Sequence, residues 1–353
     1  MYLSASASRS ALRISRLAGP AAAWDKFVGE AQGATHCHLA GWSRVMQDVF
    51  GHESVYLVAE DESGAWRGVL PLVRVRSLLT GQHFLSVPYL NDGGPLGDEA
   101  ARAALAAHAV ALAESAGARM LELRARREIP GPLPPVARKV AVHLALPATA
   151  SELWSSGFRA KLRSQIRRPI AEGMEARFGL EQLDAFYQVF AHNMRDLGTP
   201  VLPRRFFARI AEIFPDQVIF GVVGHQGRAV AAGCGFLWRD EFEITWASTL
   251  REYNPLSPNM LLYWSMMEQV IARGARRFNF GRCSPGSSTH RFKRQWGGAD
   301  VPLPWLQWPR PADGEAAAAD GRLMQLAAQG WRRLPRPVAN LVGPMLASHL
   351  PWY

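Results

Sequence analysis

The sequence predicts an internally duplicated α/β chain, and three observations carry that reading. Segments of period two alternate with segments of period 3.6, as strands and helices do. The order helices, strand meander, loop, helix, strand occurs twice along the chain. The two copies also share residues: Gly117-Ala118-Arg119-Met120-Leu121-Glu122-Leu123-Arg124 matches Gly274-Ala275-Arg276-Arg277-Phe278-Asn279-Phe280, each after a helix that follows a Tyr- and Asn-containing loop. At 353 residues, 48% hydrophobic and 20% charged, the chain is globular in composition and long enough for two cores.

Taken in order, residues 11–17 read as a strand and Pro20 to Glu30 as a helix with Trp24, Phe27 and Val28 on one face. His38 to Phe50 follows as a helix closed by Gly51. Val55–Glu60, Trp66–Arg76 and Phe84–Val87 read as strands, the first two joined by a turn at Glu62-Ser63-Gly64. An Ala-rich helix from Asp98 to Ser115 leads into a strand over Ala118–Leu123. The Pro- and Gly-rich stretch Arg126–Pro135 is the expected junction, giving domains 1–135 and 136–310.

The second half opens with a strand at Arg138–Leu146, then helical segments over Glu152–Glu172 interrupted near Pro169. Helices at Leu180–Leu197 and Pro203–Phe214 precede strands at Val218–Val223, Ala229–Trp238 and Phe242–Ala247. A helix from Pro258 to Arg273, with Ser257 as its N-cap, leads into a strand over Arg276–Phe280 that should stop at Gly281. Residues 311–353 form a linker and a basic, apolar tail. Its prolines exclude one long helix, and packing on the second domain is expected over contact with a membrane surface.

Lys plus Arg at 40 against Asp plus Glu at 30 gives +10, which favours anionic partners. Cys37, Cys234 and Cys283 lie too far apart in sequence to suggest a zinc pair or disulfide framework, so free thiols and no metal site are expected. With neither a signal-peptide core nor an apolar stretch of bilayer length, a cytoplasmic protein is expected, with the inner face of the membrane as one setting. Nucleophile elbow, Walker loop, dinucleotide fingerprint and HExxH are all missing from the sequence, which disfavours hydrolase and nucleotide-driven chemistry.

The densest group of functional residue types runs from Arg276 to Gly298. Arg282, Ser284, His290, Lys293 and Trp296 suit an anionic or sugar-like ligand at a strand end, against the plainer alternative of a solvated loop. The start of the helix at Ser257-Pro258-Asn259, with Tyr253 and Asn254 before it, offers backbone amides to a phosphate or carboxylate. Arg159, Arg163 and Arg167 form one helical stripe that could clamp a pyrophosphate or an RNA backbone. Asn193 and Asp196 sit where a helix ends at Gly198; Glu243, on the polar face of a strand, reads as solvent-exposed. Lys293 lies one residue off the Phe292–Trp296 core stripe, so its ammonium should reach the loop after Phe280.

The series HLAGW near His38, FGH at Phe50, GVLPLVRVRS at Gly68, PYLNDGG at Pro88, NMRDLGTP at Asn193, YNPLSPN at Tyr253, FGR at Phe280 and THRFKRQWG at Thr289 resembles the FemAB-like branch of the GNAT acyltransferases. It is most similar to members that accompany exosortase/PEP-CTERM sorting and exopolysaccharide loci. The resemblance implies two tandem GNAT-like domains, each a mixed, mostly antiparallel sheet flanked by helices. It also implies transfer of an acyl or aminoacyl group to an amine of an envelope or exopolysaccharide precursor. The donor would be acyl-CoA or aminoacyl-tRNA, no cofactor would be tightly bound, and the acceptor would be a small molecule or lipid-linked sugar. Where GNAT enzymes carry a Q/RxxGxG/A turn for the coenzyme A pyrophosphate, this chain has ASTLREYNPLSPN. Asp196 and His290 are the candidate proton acceptors, and Arg282 and Lys293 the candidates for stabilising the oxyanion. A catalytically inactive GNAT-like scaffold holding an anionic glycan or lipid-linked precursor is the alternative.

Overall fold

The computed structural model describes residues 12–77, 80–131, 135–136, 139–309 and 325–350. The first lobe contains β1 (Arg13–Arg16), α1 (Ala21–Glu30), α2 (Gly41–Phe50), β2 (Glu53–Glu60), β3 (Trp66–Ser77), β4 (Gly81–Ser86), β5 (Leu96–Gly97), α3 (Glu99–Ser115) and β6 (Met120–Leu123). The second begins with β7 (Val140–Ala145), α4 (Ala150–Glu152), α5 (Ala160–Ala171), β8 (Glu175–Phe178), α6 (Leu183–Leu197), α7 (Arg204–Ile213) and β9 (Val218–His225). It continues with β10 (Arg228–Trp238), β11 (Glu241–Thr249), α8 (Pro258–Ala272), β12 (Arg277–Cys283), α9 (Ser288–Arg294) and β13 (Ala299–Pro302). The chain then adds β14 (Leu306–Trp308), a helix α10 over 325–332, and α11 (Arg336–Ala347).

These strands form two seven-stranded mixed sheets, ordered β1-β2-β3-β4-β6-β14 with β5 on β3, and β13-β7-β12-β11-β10-β9-β8. Each contains an antiparallel meander, a crossover helix and a strand parallel to the meander's last strand. Phe84 is in register with Leu121 in the first sheet, and Phe242 with Phe278 in the second. The duplication read from the sequence is thus a duplication of topology. α3 lies close on its sheet because its inward face is Ala101, Leu105, Ala106, Ala109 and Ala113, and Gly68 leaves room for it: a Cβ there would stand 2.7 Å from that of Ala101. A shared apolar core joins the lobes, drawing Trp42, Val45 and Leu90 from the first and Phe186, Phe206, Phe220 and Phe236 from the second. β14 pairs with β6, so the end of the second half completes the first sheet.

Local expectations fail at three places for identifiable reasons. β12 does not stop at Gly281 but runs to Cys283, because Gly281 takes φ +70° at an irregularity in the β12–β7 pairing and the strand resumes beyond it. α5 continues through Pro169 at the loss of one bond, the one an N–H at 169 would give to Gln165 O, and ends two residues later; the break comes earlier, at a π turn over Leu153–Gly157. Ser257 starts α8 but does not cap it: it sits in the left-handed region at φ 57°, joining the 3₁₀ turn Arg251–Leu256 to the helix, and its side chain makes no cap bond. The tail packs on α6, where Arg195 Nε donates to Leu334 O at 2.9 Å and Arg332 to Leu197 O at 3.1 Å. Trp352 and the whole of the expected 311–321 linker lie outside the described residues.

Candidate active site

β11 and β12 pair in parallel only from Glu241 to Glu243 and from Arg277 to Asn279. Beyond that they part, and a cavity of about 220 Å³ opens between Ile244, Thr245 and Trp246 on one strand and Phe280, Gly281 and Arg282 on the other. Tyr89 and Asn91 of the first lobe, Phe190 and Met194 of α6, and Lys293 of α9 complete its walls. A gap between neighbouring strands leaves main-chain groups unpaired and able to bind a ligand. Tyr89 holds a left-handed backbone, φ 70°, unusual for a side chain of its size, and this bend brings the 88–92 loop against the gap.

Lys293 is 5% exposed, and its Nζ donates to Gly281 O at 2.9 Å and to Arg282 O at 2.8 Å. An ammonium has three N–H groups, and nothing pairs with the third among the described residues. Burial pulls the Lys293 amine down to about 8. Arg282 is pulled down to about 10, by burial first and then by the like charge of Arg124. The Arg124 and Arg282 guanidinium groups both lie over the Trp305 ring, at 5.1 and 5.4 Å. Among the described residues no carboxylate is in salt-bridge contact with Arg282 or Lys293, so the cleft carries positive charge suited to an anion or a developing oxyanion.

Behind the cleft lies a buried polar cluster. Glu243, 1% exposed, accepts from Asn91 Nδ2 at 2.6 Å, Asn279 Nδ2 at 3.4 Å and the Thr245 hydroxyl at 3.4 Å, and faces His36 at 3.6 Å. Arg126 reaches Asp92 at 2.7 Å, Glu241 at 2.6 Å and Glu243 at 3.6 Å, clamping one lobe to the other. Burial would raise the Glu243 carboxyl, but His36, Arg126 and Asn91 outweigh it and hold it below its ordinary value. Glu241 is held at about 2, where Arg126 overcomes the effect of burial. The expectation of an exposed Glu243 is therefore overturned: β11 is a central strand covered on both faces, so its polar side chains are enclosed too.

His36, Cys37 and Glu243 bring ligand-type atoms within 4.8 Å of one another. The Arg126 guanidinium already supplies positive charge there, Glu243 is engaged by two amides, and burial pushes the Cys37 thiol well up, so the group reads as a hydrogen-bonded cluster. All three cysteines are free and buried.

Of the residues singled out in sequence, Arg282 and Lys293 line the cleft, with Lys293 beside the backbone after Phe280 as expected. His290 does not. Its Nδ1 accepts from Gly286 N at 3.1 Å and its Nε2 meets Asp300 at 2.9 Å, tying the turn to β13. Asp196 is held at the end of α6 by Arg195 at 2.9 Å and His192 at 3.5 Å. Asn193 bonds Ser248 at 3.1 Å, and Ser284 accepts from Lys139 at 2.7 Å. Trp296 is buried among Phe158, Tyr263 and Phe280. Tyr253 stacks under Arg228, while Asn254 and Asn259 lie outside the cavity walls. Arg163 binds the carbonyls of Trp154, Ser155 and Phe158, and Arg167 covers Trp154, leaving Arg159, which is exposed, as the cation of the stripe with no partner among the described residues. Tyr89, Asn91 and Thr245 were missed. Asn91 had a signal, as a polar residue in the PYLNDGG loop.

Two mixed sheets, each with a parallel strand pair flanked by helices, define a tandem GNAT fold. Residues 156–294, which hold most of the cleft, match the family described as Acetyltransferase (GNAT) domain. FemX is similar in structure at a TM-score of 0.61 and 13% identity, over 89% of this chain and 100% of that one. The C-terminal domain of a protein assigned as a lysylphosphatidylglycerol synthetase from Agrobacterium fabrum is similar at TM-score 0.54 and 17% identity, over 86% and 94% of the two chains. A tandem GNAT protein from the clavulanic acid biosynthesis pathway is similar at TM-score 0.54 and 13% identity, over 86% and 100%. No curated protein matches the sequence.

Proposed function

We propose that the chain is an N-acyltransferase that moves an acyl or aminoacyl group to an amine of a cell-envelope or exopolysaccharide precursor, in the exosortase-linked setting that the resemblance implies. The supporting observation is the parted β11–β12 pair with the Lys293 ammonium at its floor. The donor is an activated acyl group, with acyl-coenzyme A the first to test and aminoacyl-tRNA the second. The acceptor amine adds to the acyl carbonyl carbon, and the carbonyl π pair moves to oxygen. Lys293, through its third N–H, and Arg282 stabilise that oxyanion. Its collapse breaks the bond to the leaving sulfur or oxygen. The amine's proton passes through the Thr245 hydroxyl to Glu243, which its neighbours hold ionised.

Asp196 and His290, the acceptors expected from sequence, have no part in this proposal, because other groups hold both outside the cleft. A thermal-shift panel of acyl-coenzyme A esters, aminoacyl-tRNAs and nucleotide sugars tests the donor, since a ligand bound to the native state raises the melting point. Mass spectrometry of precursor pools from a deletion strain tests the reaction. An acyl or aminoacyl increment missing from the deletion strain supports it; unaltered pools point to the scaffold alternative.

A further inference from the structure

α11 is built inside out for a helix facing water. The side it turns to the protein carries Ala339, Gly343 and Ala347, and a Cβ at Gly343 would stand 2.9 Å from Val201 N. The side it turns outward carries Val338, Leu341 and Met345, which are 43%, 74% and 67% exposed. Burial of large apolar side chains is the usual driving force for packing a helix, and here the small ones are buried instead. Leu326 of α10, 64% exposed, adds to the apolar surface of the tail.

The charge around this face indicates what covers it. From Gly321 to Tyr353 the chain has four arginines, Arg322, Arg332, Arg333 and Arg336, and neither Asp nor Glu. Arg332, Arg333 and Arg336 are exposed and flank the start of α11, with Arg332 also donating to Leu197 O and Arg336 facing His192. A second copy meeting this face symmetrically would bring the arginines of both copies together without acids to balance them. Anionic lipid headgroups complement the arginines, and acyl chains accept the leucine and methionine side chains. At 12 residues α11 is too short to span a bilayer, and no helix among the described residues is long and apolar enough to do so. Such a helix would lie in the interface.

We infer that α10 and α11 dock the protein on an anionic membrane surface through Leu326, Val338, Leu341 and Met345, rimmed by Arg332, Arg333 and Arg336. The opposite side of the same helix meets the cleft wall: the Tyr89 hydroxyl, in the cavity wall, donates to Ala347 O at 3.5 Å. With α11 lying against the cleft wall, a lipid-linked acceptor held in the same leaflet would be near the cleft. The docking itself does not depend on the transfer reaction.

Flotation of the full chain with phosphatidylcholine vesicles, with and without phosphatidylglycerol, tests the inference without any turnover. The wild type should float with the anionic vesicles and be released as salt rises. Leu341→Glu with Met345→Glu should lower binding about tenfold or more. Because both positions are exposed, the melting temperature should not change. Arg332→Gln, Arg333→Gln and Arg336→Gln together should remove the preference for anionic lipid. Failure of the wild type to bind at low salt would overturn the inference, as would equal binding to neutral vesicles. A concentration-dependent dimer in sedimentation, abolished by the glutamate pair, would overturn it in favour of a second copy.

Discussion

The Lys293 ammonium donates to the carbonyl oxygen of Gly281 at 2.9 Å, reaching from α9 to the one residue of β12 whose left-handed φ turns the strand away from its neighbour. The charge and the strand irregularity therefore meet at one point. A substitution at either should be felt at the other.

Lys293→Met keeps most of the stem and removes the charge. Transfer should fall about a hundredfold, the scale of losing one preorganised oxyanion donor. In the wild type the rate should decline as pH rises through about 8, where the amine loses its proton, and the variant should lack that limb. Because folding lowers this amine from its ordinary 10.5 to about 8, the unfolded chain binds more protons between those values. Wild-type stability relative to the variant should therefore rise with pH across that window, by on the order of 3 kcal/mol at most. Pre-steady-state rates and denaturant melts at several pH values check both.

Gly281→Ala should be damaging out of proportion to one methyl group. A Cβ there would stand 3.1 Å from Asn91 Nδ2 and 3.3 Å from Ile244 O, in a backbone conformation that alanine resists. The left-handed conformation alone costs roughly 1–2 kcal/mol. Loss of donor affinity in calorimetry, with a melting point a few degrees lower, is the expected outcome; wild-type affinity would show that the cleft lies elsewhere.

Glu243→Gln separates fold from chemistry. Removing one partner of a buried ionic cluster costs about 3–5 kcal/mol, and Arg126 still keeps Asp92 and Glu241, so the loss should fall at or below the lower end. If Glu243 accepts the proton, kcat should also fall while donor binding holds. Glu241, held at about 2 against an ordinary 4.5, contributes stability that is complete above pH 4.5 and is lost as pH falls toward 2. Acid melts of Glu241→Gln should show a smaller loss over that range than the wild type.

Asp196→Ala and His290→Ala should each keep transfer within about twofold of wild type, since neither side chain lines the cleft and each is engaged elsewhere. Steady-state kinetics decide it. Ser257→Ala should leave the melting temperature of α8 unchanged, because the hydroxyl makes no cap bond to lose.

Much of the fold was legible because it is written in periodicity: the meanders, the Ala-rich α3 and the α8–β12 crossover each show it locally. The site was legible only in part. Lys293 could be placed from its offset to the Phe292–Trp296 stripe, since that argument needs one helix alone. Glu243 could not, because its alternation with Phe242 and Ile244 looks the same whether the second face of β11 meets water or the other lobe. Asn279, in register with Glu243 across the parallel pair, was the available hint that polar side chains are enclosed there. His290 and Asp196 have the right chemistry for proton transfer, yet their neighbours Asp300 and Arg195 engage them elsewhere, and spacing does not reveal such pairings.

The place of β14 sets an order on biosynthesis. The first sheet receives its last strand from Leu306–Trp308, synthesised after every strand of the second sheet, whose last is β13 (Ala299–Pro302). Until then the exposed edge of β6 waits, and the N-terminal half emerges as an unfinished body that its successor must close. Splitting the gene at the apparent midpoint would yield two fragments, one of which carries the other's missing strand.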